Sequence, residues 1–339
     1  MTRSGHRLGR CAAALAIVAA GCRGSSGPGA AEPADSPTGG PRPAGIVRAV
    51  GTRPEGIVVD TRTGIVAVAV RKPDRLLLLD SGTLAPRRAV RLPGHARHLV
   101  LAGAGGPVLV PVENADTLLQ VPLTGPGRTA TTVGRSPHSA AAVGNGRIVV
   151  GNEVGGTLSI VRAGRVERTV PGLRQPGGVV AAGPVVAVVD VAAFTVTTFD
   201  PATARRIATT RAGAGPTHVV LVAAHRMVVA DTRGDALLVF DPQPLRLISR
   251  LPLAGTPYGV AADPLTQSVW VTLTARNQVV GVCLASGHPR VIARYPTVEQ
   301  PNTVAVTPGS RTVYLAGARR GEVQAIRRPA RALPERTCR

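Results

Sequence analysis

From about residue 45 onward, short apolar runs alternate with turn residues at a near-constant interval. A phrase recurs in which a turn residue, usually proline, is followed by two variable positions and then an apolar strand. It begins at Pro54, Ala96, Pro137, Pro176, Pro216, Pro257 and Pro301, so the spacings are 42, 41, 39, 40, 41 and 44 residues. Each interval holds four strand-like pieces. In the first these are Gly56–Asp60, Ile65–Val70, Arg75–Asp80 and Arg87–Leu92, joined through Thr61–Gly64 and Ser81-Gly82. Valine and isoleucine dominate, as suits a pleated surface, and helical periodicity is not sustained anywhere. Four strands per roughly 40 residues predicts a β-propeller blade, and seven such units predict an all-β seven-bladed propeller with four antiparallel strands per blade.

The ends of the array sharpen this expectation. The seventh unit shows strands near Thr303–Val306, Thr312–Ala316 and Glu322–Arg327, then a polar tail over 329–339. Its missing fourth strand is supplied by Gly45–Val50, whose pattern matches Arg87–Leu92. The N-terminal strand is therefore expected to close the ring, which removes two exposed sheet edges. The domain is expected over 45–328.

The residues resemble YVTN-type β-propeller repeats. The third strand ends in Asp before a turn at Asp80-Ser81-Gly82-Thr83, Asp200-Pro201-Ala202-Thr203 and Asp241-Pro242, and the second ends in Asn152, Asp190 or Asp231. Val121, Arg162 and Leu284 depart from the hairpin pattern. The resemblance implies an extracytoplasmic propeller without implying one activity. The sixth unit, with Ser268-Val269-Trp270-Val271 and Asn277-Gln278-Val279, is similar to virginiamycin B lyase repeats. Those propellers use histidines and a magnesium ion in ring opening, and gluconolactonases likewise bind a divalent metal in the channel.

Residues 1–22 read as an export signal. Arg3, His6, Arg7 and Arg10 precede an apolar run from Cys11 to Ala20, too short for a permanent membrane helix. Ala19-Ala20-Gly21-Cys22 resembles a bacterial lipobox, with Ala19 where leucine is usual. The resemblance implies diacylglycerol on Cys22 and anchoring to the outer face of the cell membrane. Residues 23–44, rich in Gly, Pro, Ser and Ala, are expected to be a flexible tether. With Cys11 removed and Cys22 acylated, Cys283 and Cys338 remain as a candidate disulfide in an oxidising compartment, with two free thiols as the alternative.

Composition narrows the partners. The formal charge is +21, carried almost wholly by arginine, since Lys72 is the sole lysine. Two accounts stand side by side: GC-rich codon usage, and attraction to anionic phospholipid or cell-wall polymer. Only seven aromatic residues occur and clustered basic runs are absent, which argues against nucleic-acid binding. A monomer is expected.

In a propeller the inter-blade loops and the loops between second and third strands share one face. The positions after each anchor place Glu55, Arg97 with His98, His138, Thr217 with His218, Tyr258 and Asn302 around the channel. The second-to-third-strand loops add Arg71 with Asp74, Glu113 to Asp116, Asn152 with Glu153, Asp190, Asp231 with Asp235, Arg276 with Asn277, and Arg319 with Arg320. The channel-face candidates are Glu55, His98, His138, Glu153, Asp190, His218, Asp231, Tyr258 and Asn302. The favoured role is a module binding a small molecule or an extracytoplasmic protein, with no cofactor. The alternative is a metal-dependent lyase or lactonase holding a divalent cation through histidine and carboxylate. Two histidines and a carboxylate within common metal reach would favour the enzyme. Scattered polar residues would favour the module.

Overall fold

The computed structural model describes Met1, residues 29–285 and residues 288–328. Among these residues, seven four-stranded antiparallel sheets follow one another in chain order. Their inner strands are Thr52–Asp60, Val100–Leu101, Pro137–Val143, Pro176–Ala182, Pro216–Ala223, Pro257–Asp263 and Pro301–Val306, which define blades 1 to 7. Among the described residues no helix is long and apolar enough to cross a membrane.

Each blade's middle strands are apolar on both faces because a neighbouring blade covers each face. In blade 1, Ile65–Arg71 is buried along all but its last residue, whereas the outer strand Pro86–Arg91 is exposed or half-buried throughout. The core is accordingly distributed. One hydrophobic cluster sits at each blade interface, from Ile65, Leu76, Val108 and Val110 between blades 1 and 2 to Ile57, Val68, Tyr314 and Val323 between blades 7 and 1. Blades 6 and 7 are also tied by a buried polar chain. The Ser310 hydroxyl donates to Asp263 at 2.7 Å and accepts from the Trp270 indole N–H at 3.0 Å.

The ring closes as the pattern predicts. Ile46–Ala49 pairs antiparallel with Glu322–Arg327, completing blade 7 in the register Ile46–Ala325 to Ala49–Glu322. Gln324, fully buried, fixes the entry of this strand: its amide N–H groups donate to the carbonyls of Ala44 (2.7 Å) and Pro296 (3.1 Å).

Two features differ from expectation. Residues 29–44 do not form a free tether. They lie against the loop face of blades 5 to 7, with Ala31 and Ser36 buried. The Arg233 guanidinium donates to the Gly29 carbonyl (2.9 Å), the Ser36 hydroxyl to the Thr274 carbonyl (2.7 Å), and the Gln300 amide to the Ala34 carbonyl (2.9 Å). Small residues and prolines keep this segment extended, so its backbone polar groups reach loop side chains. The second difference lies in blade 2, whose inner strand shrinks to Val100–Leu101. Pro111 in the adjacent strand has no N–H. Pairing with the third strand continues through Pro111–Leu118, but pairing with the inner strand stops at Leu109. Arg97 and His98 therefore lie outside the paired part of the inner strand.

The segments that carry Cys22 and Cys338 lie outside the described residues. Cys283 is disulfide-bonded.

Candidate functional site at the channel mouth

A repeated local device aims side chains into the channel. The register of the inner strand shifts directly after the anchor proline, between Pro137 and Ser139, Pro176 and Gly178, Pro216 and Val219, Pro257 and Val260, and Pro301 and Thr303. Such a bulge leaves the intervening residue unpaired and redirects it. His138, Tyr258 and Asn302 occupy these positions. The residue before the proline is left-handed at Arg53, Ser136, Thr256 and Gln300 (φ 47°, 54°, 57° and 56°). Held strain of this kind is common beside functional sites.

Blades 2 and 3 converge most strongly. Glu113 opens the 3-10 turn Glu113–Ala115 after the second strand of blade 2, and Glu153 follows the equivalent strand Arg147–Asn152 of blade 3. Both are buried, with 7% and 9% exposure, as is His138 at 7%. His138 Nδ1 lies 2.8 Å from Glu113 Oε1 and 3.2 Å from Glu153 Oε2. Arg97 Nε donates to Glu113 Oε1 at 2.7 Å and a terminal nitrogen reaches Glu153 Oε2 at 3.5 Å. His95 Nε2 is 3.0 Å from Glu113 Oε2, and the Gln175 amide donates to Glu153 Oε1 at 3.0 Å. All four carboxylate oxygens are thus engaged.

The electrostatics follow from these contacts. Burial alone would raise Glu113, but the hydrogen bond and charge of His138 and the Arg97 guanidinium hold its carboxyl down at about 2. An ionised carboxylate only accepts, so His138 Nδ1 carries the proton it shares between the two glutamates. Arg97 is shifted upward: burial opposes this, and the charges of Glu113 and Glu153 outweigh it.

A ring stack runs from this cluster across the channel. The His98 centroid is 4.4 Å from that of His138 and 4.6 Å from that of His218, and His218 meets Tyr258 edge-on at 4.5 Å. The Nε2 atoms of His98 and His218 are 3.3 Å apart. Burial, then the charges of His138, His218 and Arg97, push His98 well below the ordinary 6.5. Burial, then His138 and Arg97, push His218 down to about 3. Both rings are therefore neutral at physiological pH. Tyr258 is shifted upward by burial and then by Glu32 of the docked segment, so its hydroxyl keeps its proton.

Of the nine sequence candidates, His98, His138, Glu153, His218 and Tyr258 are brought together. Glu55 stands apart in an ion pair with Arg71 at 2.5 Å. Asn302 accepts from the Gln300 amide at 3.0 Å. Asp190 and Asp231 are buried and hold loops: Asp190 accepts from the N–H groups of Arg174, Gln175 and Ala193, and Asp231 from those of Ala214, Gly215 and Gly234. Arg97 and Glu113 were visible only as members of the rim and loop sets, and His95 and Gln175 were missed. A signal for Gln175 existed, since it immediately precedes an anchor proline. His95 had none, because its role depends on the short inner strand of blade 2.

One metal-capable group emerges among the described residues: ligand atoms of Glu113, His138 and Glu153 all lie within 4.8 Å of one another. Two carboxylates and one imidazole suit a hard or borderline divalent cation. To bind one, His138 Nδ1 must lose its proton and Arg97 must yield the carboxylates. The set holds one histidine with two carboxylates, where the enzyme expectation asked for two histidines and one carboxylate.

This geometry belongs to a seven-bladed propeller with a convergent polar site at one channel mouth. No protein-family model and no curated protein matches the chain. Solved structures do resemble it. A virginiamycin B lyase from Staphylococcus aureus superimposes with a TM-score of 0.70 at 12% identity, covering 84% of this chain and 99% of the lyase. A streptogramin B lyase gives 0.70 at 13% identity over 83% and 96%. A chain from a mitotic checkpoint complex gives 0.71 at 13% identity over 88% and 98%. At these identities the likeness is one of fold, shared by lyases and by components of assemblies.

Proposed function

We propose that the protein is an extracytoplasmic lipoprotein of YVTN-type repeats, anchored at Cys22, whose propeller binds a ligand at the polar half of its channel mouth. The observation that carries this reading is the convergence of half-buried Arg97 on buried Glu113, His138 and Glu153, beside the neutral His98–His218–Tyr258 wall. Buried charges weaken a fold unless they are paired, and clusters with displaced titration are concentrated at functional sites. The Arg97 guanidinium side of the cluster suits an anionic or carbonyl oxygen. The aromatic wall suits a flat or apolar moiety.

A second reading is favoured by the spacing of Glu113, His138 and Glu153: a divalent cation held there would support lyase or lactonase chemistry at the same mouth. Fold neighbours include a catalytically inactive histidine-to-alanine variant of virginiamycin B lyase solved with quinupristin. The discriminating experiment is calorimetric titration of the full chain with Mg²⁺, Mn²⁺ and Zn²⁺, with metal analysis of the purified protein and a quinupristin ring-opening assay. Saturable binding that disappears in Glu113→Gln and Glu153→Gln, with ring opening, establishes the enzyme. No cation binding and no turnover leave the binding role. If His98→Ala, His138→Ala and His218→Ala all retain the protein's in vivo phenotype, the mouth is not the functional site.

A further inference from the structure

We infer that His98 and His218 form a metal site of their own at the channel mouth, one that takes a late first-row divalent cation of the Zn²⁺ type and leaves coordination positions open to the channel. The pair shares no ligand with the Glu113–His138–Glu153 group and does not rest on the lyase reading.

A distance points to it first. The Nε2 atoms of His98 and His218 are 3.3 Å apart. Imidazole nitrogens bind Zn²⁺ at about 2.0–2.1 Å, and two ligands at that length on a tetrahedral ion stand about 3.3–3.4 Å from each other. The pair thus has the spacing of two tetrahedral ligands before either ring moves. Without a metal the same spacing is an N–H···N hydrogen bond, in which one ring carries Nε2–H and the other offers its lone pair. Binding needs the donor ring to hold its proton on Nδ1 instead, a tautomer exchange between the two ring nitrogens.

The surroundings of His218 favour that arrangement. Its Nδ1 is buried and has no partner at full hydrogen-bond geometry among the described residues, yet the Tyr258 backbone favours a proton on this ring. A proton on Nδ1 leaves the Nε2 lone pair free. A second ring nitrogen turned toward a backbone carbonyl is the usual support of a metal-bound histidine. The rings of Tyr258, 4.5 Å from His218, and His138, 4.4 Å from His98, brace the pair from either side.

Position and ligand type complete the case. His98 precedes the short inner strand of blade 2, and His218 falls inside the register shift between Pro216 and Val219, so neither is held by sheet pairing. Both residues are half-buried, which leaves a cation a path from the mouth. Arg97 opposes a cation here, and its partners Glu113 and Glu153 offset it. Two imidazoles suit Zn²⁺ or Cu²⁺, whereas the carboxylate-rich group beside them suits Mg²⁺ or Mn²⁺.

The test takes the full chain, stripped of metal, and titrates it with Zn²⁺ against a chromophoric chelator and with Co²⁺ for the visible spectrum of a tetrahedral site. One Zn²⁺ per chain is expected. His98→Asn and His218→Asn are each expected to weaken it at least about tenfold, and excess Mg²⁺ is expected to leave it in place. In wild-type protein, where no variant has to fold, saturating Zn²⁺ should protect His98 and His218 from diethyl pyrocarbonate, read by mass spectrometry. Exposed His225 should be modified as before. Three results overturn the inference: Zn²⁺ fails to bind, Zn²⁺ binds without protecting both histidines, or Zn²⁺ binding is lost in Glu113→Gln and kept in both histidine variants. Titration with Mg²⁺ or Mn²⁺ reports on the carboxylate group alone, so failure of the lyase reading is told apart from failure of this site.

Discussion

The two halves of the channel mouth are built from the same backbone and loaded differently. At the end of the second strand or directly after it, blades 1 to 3 carry Arg71, Glu113 and Glu153, whereas blades 4 to 7 carry Val191, Thr232, Thr274 and Ala318. The charged half stays uncovered and satisfies its own charges across blade boundaries. The neutral half is covered by residues 29–40, which use Thr274, Asn277, Glu299 and Gln300 as backbone partners. Ring symmetry thus supplies seven equivalent slots, and side-chain identity divides them between chemistry and docking. Carboxylates of both kinds are buried. Glu113 is held by side chains that a ligand can displace, and Asp231 by backbone N–H groups that it cannot.

The contrast is broken most severely at Glu113. Glu113→Ala removes the main counter-charge of half-buried Arg97 and a hydrogen-bond partner of buried His138, leaving Glu153 alone to serve both, and urea unfolding is expected to show a loss of about 3 kcal/mol. Acid should act next on the same half. His98 and His218 are neutral in the fold, and His218 titrates at about 3 instead of 6.5. The unfolded chain takes up protons below 6.5 that the fold refuses, so stability present above that pH is lost as pH falls toward 3. From His218 alone the loss is roughly 2 kcal/mol at pH 5, and His218→Phe should flatten it. Glu113, depressed to about 2 from an ordinary 4.5, adds a second loss as pH falls through that lower window. Denaturant midpoints measured from pH 7.5 to 3 check both parts.

Smaller effects sharpen the comparison from the neutral side. Asp231→Ala strands three backbone N–H groups and should lower stability by about 1.5 kcal/mol, with ligand or cation titration unchanged. Ser36→Ala removes one buried hydrogen bond of the docked segment and should reduce stability by about 1 kcal/mol. Faster amide exchange at Gln300, whose N–H donates to Ser36 Oγ, would localise the change. If Ser36→Ala disturbs the Glu113 cluster as well, the two halves are not independent.

Much of the fold was legible because it is local and repeated. The anchor prolines mark the inner strands, doubly buried middle strands read as unbroken apolar runs such as Ile65–Val70, and the orphan strand at 46–49 matches the vacancy in blade 7. The site was legible in part. Repeat position placed His138, His218 and Tyr258 at the rim, but it also nominated Asp190 and Asp231, which occupy similar positions and cap loops. Composition marked 23–44 as a tether. Small, proline-rich chain carries no apolar signal when it binds through its backbone, so the docking of residues 29–40 on blades 5 to 7 left no trace in the pattern.

Repeat number, strand order and the closing partner were set by the sequence itself, because each depends on periodic burial within about 40 residues. Which rim residues meet was decided only in the tertiary structure. His98 and His218 stand 120 positions apart, and their contact exists because a closed ring brings blades 2 and 5 to one channel. Pairings of that kind are properties of closure, and nothing in the spacing of single residues encodes them.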